Sequence, residues 1–350
     1  MVKKKKKVAG VSIQEQMVVA IRKHFGCDGI GILGEGGKSE VADVIPTGID
    51  VIDRYILGCG GLPTGRLTEV YSEEGGGKTS FTWACIGGAL NMGAVVFLCE
   101  TENALNLARA RLFGVDLKRV ILIEPDHMED VLAKMAYTMS LLPGDVPALG
   151  VWDSIASCAT KDEIERGLRG KDLWDTRAKV MSQACRVLSK LAIEKRCSLL
   201  WVNQVREKSG VIFGDRYVTP CGKAVKFYAS IRVQLFPGKR FKNSYNEAIG
   251  QQITFLTTKN RLASPYRKSK VRLDFTKGWN NDWSTLYRAK ELGLVTAKEL
   301  RDMTGDELKE KVISLTGELD ANGWCQSEVA SEIADDGEDA GEKEGEEAEV

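Results

Sequence analysis

The chain has 350 residues, with 49 basic and 49 acidic side chains, so its formal net charge at pH 7 is zero. At 43% hydrophobic and 28% charged it reads as a globular protein, and no apolar run approaches the roughly 18–20 residues of a membrane span. Nine scattered cysteines without a Cys-x-x-Cys pair, and only two histidines (His24 and His127), argue against a disulfide framework, a zinc site or a histidine metal site. Reduced thiols and a basic N-terminus without an apolar segment make a cytoplasmic protein the expectation.

The balance of charge is uneven. Residues 332–350 hold ten carboxylates and one lysine, a net −9, so the preceding 331 residues carry +9. Lys3 to Lys7 form an unbroken lysine run at the opposite end. A basic body with an acidic tail suits a polyanion partner for which the tail competes. A solubilising tail beside solvated lysines is the plainer alternative.

Residues 1–11 and 332–350 are expected to be disordered. Ser12 opens a helix: Ser12-x-x-Glu15 is a capping box, Ile13, Met17, Ala20, Ile21 and Phe25 share one face, and Gly26 ends it. Ile30 to Leu33 is a short apolar piece, followed by a glycine-rich linker from Gly34 to Lys38. A helix tethered this way has no means of burying its stripe alone. It must dock on its own core or on a neighbouring subunit, so residues 12–39 read as an arm.

Residues 40–277 alternate strands and helices. Strands are expected at 67–71, 94–99, 119–124, 148–152, 198–203, 229–236, 252–258 and 270–275, and helices near 78–92, 103–112, 127–142 and 173–195. Unbroken apolar strands between amphipathic helices imply an α/β fold with a parallel sheet covered on both faces. The later strands lack long helices between them and should form an antiparallel or mixed extension. Residues 278–331 read as a small, mostly helical module, with helices near 286–293 and 297–313.

The stretch Tyr71-Ser72-Glu73-Glu74-Gly75-Gly76-Gly77-Lys78-Thr79-Ser80 misses the phosphate-loop pattern G-x-x-x-x-G-K-[ST] at one position, where Ser72 replaces the first glycine. An alternating strand precedes it and a helix pattern follows, which is the context the motif requires. There the backbone N–H groups of Gly75, Gly76, Gly77 and Lys78 can converge on phosphate oxygens. The helix N-terminus adds roughly half a positive charge, Lys78 a full one, and the Thr79 hydroxyl can ligate magnesium. A flexible turn would have no use for Lys-Thr directly after the glycines.

Hydrolysing a nucleoside triphosphate also needs a metal anchor, a group that positions water and a sensor of the γ-phosphate. Leu149 to Asp153 is an apolar strand ending in a carboxylate, a Walker B arrangement that would hold the magnesium shell. Glu100, Thr101 and Glu102 follow another apolar strand, so one of the two glutamates can face the γ-phosphate. Asn203-Gln204 ends a third, where an amide can bond it. The segment from Val205 to Lys223 is too long for an ordinary connection. It interleaves Arg206, Lys208, Arg216 and Lys223 with Phe213 and Tyr217, a combination that suits phosphates and stacked bases of a single strand. A second loop, Thr160 to Lys171, has mixed charge and says little alone.

These blocks, GGLPTGRLTEVY, ETENAL, VWDSIA, MSQACRVLS, NQVREKSGVIFG and KAVKFYASIR, resemble in order and spacing those of the bacterial and phage RecA recombinases, over roughly residues 12 to 278. The resemblance implies a RecA-type ATPase core that uses ATP and Mg2+, with Lys78 and Thr79 on phosphate and metal and Asp153 as the Walker B carboxylate. It implies Glu102, rather than Glu100, as the residue that activates water, and Gln204 as the γ-phosphate sensor. It implies residues 160–171 and 205–223 as DNA loops 1 and 2, and places Ser182, Arg186, Arg206 and Lys208 at DNA-contact positions, with Phe213 as the aromatic of loop 2. Lys259 and Arg261 fall where a pair of cations reaches the neighbour's ATP across a protomer seam. The Ser12 helix and the Ile30–Leu33 strand match a polymerisation arm.

Against the family pattern, Ser72 replaces a glycine, Asn106 and Arg109 stand where aspartate and tyrosine flank the adenine, and Arg261 replaces a lysine. Pro220 and Cys221 end loop 2, and the C-terminal module is short, as in a phage or divergent version. The implied activity is ATP-dependent pairing and strand exchange between single-stranded DNA and homologous duplex DNA, in a homo-oligomeric helical filament. Single-strand-binding and mediator proteins are further expected partners, in a bacterial or phage-infected cell. The alternative is a ring-forming helicase or loader on the same fold.

Overall fold

Hydrophobic strands alternating with amphipathic helices can hide both faces of a sheet only by wrapping helices around it. The computed structural model takes that solution, and it describes residues 12–26, 29–33, 40–167, 173–207, 217–218, 223–303, 307, 310–311 and 313–315. In chain order the elements are α1 (Ile13–Phe25), β1 (Val44–Ile45), β2 (Leu62–Pro63), β3 (Leu67–Ser72), α2 (Lys78–Asn91), β4 (Val95–Glu100), α3 (Leu107–Leu112), β5 (Val120–Ile123), α4 (Met128–Ser140), β6 (Ala148–Asp153), α5 (Lys161–Arg166), α6 (Leu173–Glu194), β7 (Cys197–Gln204), β8 (Arg206–Glu207), β9 (Tyr217–Val218), α7 (Lys223–Tyr228), β10 (Ile231–Lys242), β11 (Ala248–Asn260), β12 (Lys268–Asp274), β13 (Gly278–Asn280), α8 (Asn281–Glu291) and α9 (Ala297–Asp302).

The large sheet has nine strands in the order β13-β12-β11-β10-β3-β7-β6-β4-β5. From β10 to β5 every pairing is parallel, and β11, β12 and β13 extend it antiparallel, as the strand spacing predicts. Every residue of β3 and β6 is buried, whereas the edge strand β5 leaves Ile121 and Leu122 exposed. One face carries a core around Phe81, Ile86 and Leu90 of α2; the other is filled by α4, α6 and α7. There Trp152 and Trp201 meet edge to face at 5.6 Å. Truncating either would cost about 3–5 kcal/mol. No helix among the described residues is long and apolar enough to cross a membrane.

Several local expectations need correction. The helix expected over 103–112 begins only at Leu107: Asn103 has φ 53°, and the Asn106 side chain accepts from Arg109 N to cap α3. Residues 160–171 do not start as a loop. Thr160 and Glu163 form a capping box for α5, and Arg177 of α6 pins Glu163 at 2.7 Å. Ile30 to Leu33 forms no strand and has no ladder partner among the described residues; Arg22 Nε donates to Ile30 O. The helix expected at 286–293 runs from Asn281 to Glu291, capped by Asn280. The one expected over 297–313 breaks after Asp302. Within 205–223, β8 and β9 pair as a short antiparallel ladder.

Candidate nucleotide-binding site

The register of the parallel strands brings their carboxyl ends together. Ser72 of β3 lies opposite Gln204 of β7, and Glu100 of β4 opposite Asp153 of β6. In open α/β sheets this is where ligands bind.

The phosphate loop leaves β3 at Ser72 and enters α2 at Lys78. Gly77, the residue preceding α2, has φ 83°, a left-handed conformation that glycine adopts at no steric cost. Ser72 is fully buried and fits without opening the loop. Its hydroxyl donates to Glu73 O at 2.7 Å, and a Cβ at Gly76 would fall 2.2 Å from that same hydroxyl. The serine therefore occupies the space that Gly76 leaves. Lys78 Nζ donates to Ser72 O, Ser72 Oγ and Glu73 O at 3.2, 3.1 and 2.8 Å. Burial holds the lysine below its ordinary pKa, against the pull of Glu102, Asp153 and Glu74. Glu73, Glu74 and Gly75 are exposed on the outer turn, and the first turn of α2 is steadied from β13, where Trp279 Nε1 donates to Ser80 O.

Asp153 ends β6 almost wholly buried. Burial, then repulsion from Glu102, pushes its carboxyl up to about 7, while Lys78 and a hydrogen bond from the Thr79 hydroxyl act in the other direction. A hydroxyl touching a buried carboxylate beside a phosphate loop is the donor set that magnesium uses when most of its other ligands are phosphate oxygens and water. Thr79 and Asp153 therefore fit Mg2+, and the loop fits a phosphate group.

Glu100, the last residue of β4, and Glu102 make different bonds. Glu100 turns back on its own loop, accepting from the backbone N–H groups of Glu102, Asn103 and Ala104 at 3.0, 3.1 and 3.3 Å. Glu102 faces the site, where Oε1 accepts from Ser154 Oγ at 2.5 Å and from Gln204 Nε2 at 3.2 Å. A cavity beside it is lined by Thr79, Thr82, Trp83, Glu100, Glu102, Leu105 and Asp153, so both glutamates border it. The two amides of β7 separate as well: Asn203 is buried and turned away, and Gln204 is exposed.

Arg109 donates from Nε and Nη2 to Ser80 Oγ at 3.2 and 2.9 Å, which places its cation over the first turn of α2. Lys259 and Arg261 stand apart from the loop. Lys259 Nζ donates to Lys226 O and Phe227 O, and Arg261 Nη2 to Phe227 O. On α6, Arg186 reaches Ser182 Oγ at 3.5 Å, and Lys223 is exposed at the start of α7. Arg206 and Tyr217 lie on the paired backbones of β8 and β9; Lys208, Phe213 and Arg216, like Pro220 and Cys221, lie outside the described residues. Sequence reasoning missed Ser154, although it follows Asp153 directly, and missed Thr82, Trp83, Leu105 and Trp279, whose roles arise from tertiary contact. One contact joins the two halves: Val205 N, at the head of the 205–223 segment, donates to Ser72 O at 3.2 Å.

Strand, glycine loop, helix and a facing carboxylate at the next strand ends define an α/β protein of the phosphate-loop class. The model of the RecA N-terminal domain family matches residues 12–280. The chain is 36% identical over 264 residues to Protein RecA of Thermus thermophilus (75% of this chain, 76% of that protein). It is 34% identical over 278 residues to Protein RecA of Symbiobacterium thermophilum (79% and 78%). It is 32% identical over 287 residues to Protein RecA of Thermotoga neapolitana (82% and 80%). The chain belongs to the RecA family.

Proposed function

We propose that this RecA-family protein is an ATP-dependent DNA recombinase. It assembles on single-stranded DNA as a helical filament, pairs that strand with homologous duplex DNA and exchanges strands, in a bacterial or phage-infected cytoplasm. The observation that carries this reading is the joint between the two halves of the site. The loop that would cradle phosphate accepts a hydrogen bond from Val205, and Gln204 bridges to Glu102. A change at the phosphates is therefore passed directly to the segment proposed to hold DNA.

When bound, ATP with Mg2+ supplies the γ-phosphoryl group whose transfer to water yields ADP and phosphate. Lys78 and the loop N–H groups would bind the phosphates, and Thr79 and Asp153 would hold the metal. Glu102, oriented by Ser154, aligns the attacking water and accepts its proton. With a triphosphate bound, Gln204 Nε2, which here donates to Glu102, would be the group placed to donate to the γ-phosphate. Lys259 and Arg261 serve the nucleotide of a neighbouring protomer, and the arm of residues 12–39 docks on a second copy. Ser182, Arg186, Arg206, Lys208, Phe213, Arg216, Tyr217 and Lys223 contact DNA. The acidic tail competes with duplex DNA for the basic body.

The test is ATP hydrolysis measured with and without single-stranded DNA. Stimulation is expected. Glu102→Gln should slow hydrolysis by roughly 10²- to 10⁴-fold while leaving ATP-dependent DNA binding in place. Hydrolysis indifferent to DNA would reject the reading, and closed rings in electron micrographs would replace the filament with a ring motor.

A further inference from the structure

Glu69 is a carboxylate in the middle of β3 with no exposed surface. Both of its oxygens are engaged: Oε1 accepts from Asn203 Nδ2 at 2.9 Å, and Oε2 from Arg232 Nε at 2.5 Å. Such a buried ion pair is a weak source of stability, because desolvating two charges offsets their attraction. Its use lies in what it holds in place.

On one side it holds Asn203. With Nδ2 committed to Glu69, the amide has one orientation left, and its Oδ1 accepts from the backbone N–H of Gln204 at 3.0 Å. That bond fixes the strand end from which Gln204 reaches Glu102. On the other side Glu69 holds Arg232, whose guanidinium lies 4.6 Å from the centroid of the Tyr71 ring. The Tyr71 hydroxyl shares a 2.7 Å hydrogen bond with Thr258, next to Lys259. Across the sheet, Glu69 lies opposite Arg232, and Arg232 opposite Lys259. The Lys259 ammonium is held below its ordinary pKa by burial, then by Arg261 and Arg232, with Glu69 opposing them. A continuous row of contacts and charges thus runs from the Lys259–Arg261 pair to the strand end that carries Gln204.

We propose that Glu69, bridging Arg232 and Asn203, is a positioning residue that makes Gln204 responsive to the anion held by Lys259 and Arg261. Drawing an anion to Lys259 relieves its repulsion of Arg232. Arg232 then resets its pairing with Glu69, and Glu69 resets Asn203. The inference deepens the proposed function and rests on it.

The experiment measures the affinity of the full chain for a fluorescent oligo-dT, with and without a slowly hydrolysed ATP analogue. The ratio of the two affinities reports coupling, which a merely structural role would leave unmoved. Glu69→Gln keeps the shape and an acceptor for Asn203 but removes the charge. It should reduce the ratio about tenfold, with affinity for the analogue alone within about twofold of wild type. Lys259→Ala should also reduce the ratio, and the double variant should lose less than the two losses added together. Should Glu69→Gln not fold, Asn203→Ala leaves the Glu69–Arg232 pair intact and should reduce the ratio likewise. An undiminished ratio in these variants, or strictly additive losses, overturns the inference. A wild-type ratio of one overturns the proposed function with it, so the two failures are distinguishable.

Discussion

Two helices of 13 residues, α1 and α4, carry comparable amphipathic stripes and meet opposite fates. In α4 the stripe is buried: Met128, Val131, Met135 and Met139 pack into the core shared with α6. In α1 no residue is buried, and Ile13 and Phe25 are 72% and 69% exposed. Both are capped at the N-terminus, α1 by the Ser12–Glu15 box and α4 by His127. Periodicity shows that a stripe needs cover; it does not say which chain supplies it. A helix of this length is marginal in water by itself, so α1 requires a partner, and the proposed filament provides one in a second copy.

The largest effect is expected at the arm. Removing residues 1–33 deletes Ile13, Met17 and Phe25, each worth roughly 1.5–3 kcal/mol when covered. Assembly should weaken by more than about 4 kcal/mol, or about a thousandfold, while the thermal midpoint of the remaining core stays put. Sedimentation velocity with ATP and single-stranded DNA reads this, and a truncated protein that still polymerises would undo the contrast. The matching cut in α4, Met135→Ala, should do the reverse. A loss of about 2–5 kcal/mol is expected in urea unfolding, with self-association unchanged.

A smaller effect tests whether the core itself is free of conflict. The Asp153 carboxyl titrates near 7 in the folded chain against 3.8 when unperturbed, so the folded state binds the proton more tightly. Stability should therefore fall as pH rises through that window. Nucleotide-free Asp153→Asn should exceed wild type by up to about 4 kcal/mol at pH 8, with the difference vanishing toward pH 4. Urea titrations at the two pH values check this, and a pH-independent difference would contradict it. The smallest effect is at the cap: Ser12→Ala should cost α1 about 1 kcal/mol, seen as faster amide exchange in its first turn.

How much of this was legible follows from the range over which each signal acts. The placement of Lys78, Thr79 and Asp153 at the strand ends was readable because strand, loop and helix encode it within a few residues. The buried strands were readable from unbroken apolar runs. The departure at Ser72 could be noticed but not interpreted, since its fit depends on the space above Gly76. Asn106 halted a helix expected from 103 because its side chain caps rather than extends. The Thr160–Glu163 box has the same form as the one read at Ser12–Glu15, yet mixed charge made that segment look like a loop. Ile30–Leu33 forms no strand among the described residues, since a strand needs a ladder partner and none of these supplies one. Glu69, Asn203 and Arg232 lie far apart in sequence, and only the sheet brings them together.

The central claim is that filling the triphosphate pocket changes the grip on single-stranded DNA. It is tested most directly by the equilibrium affinity of the chain for an oligo-dT with a slowly hydrolysed ATP analogue and with ADP, at fixed salt and magnesium. Binding at least about tenfold tighter with the triphosphate is expected. Equal affinity with the two nucleotides would contradict the account.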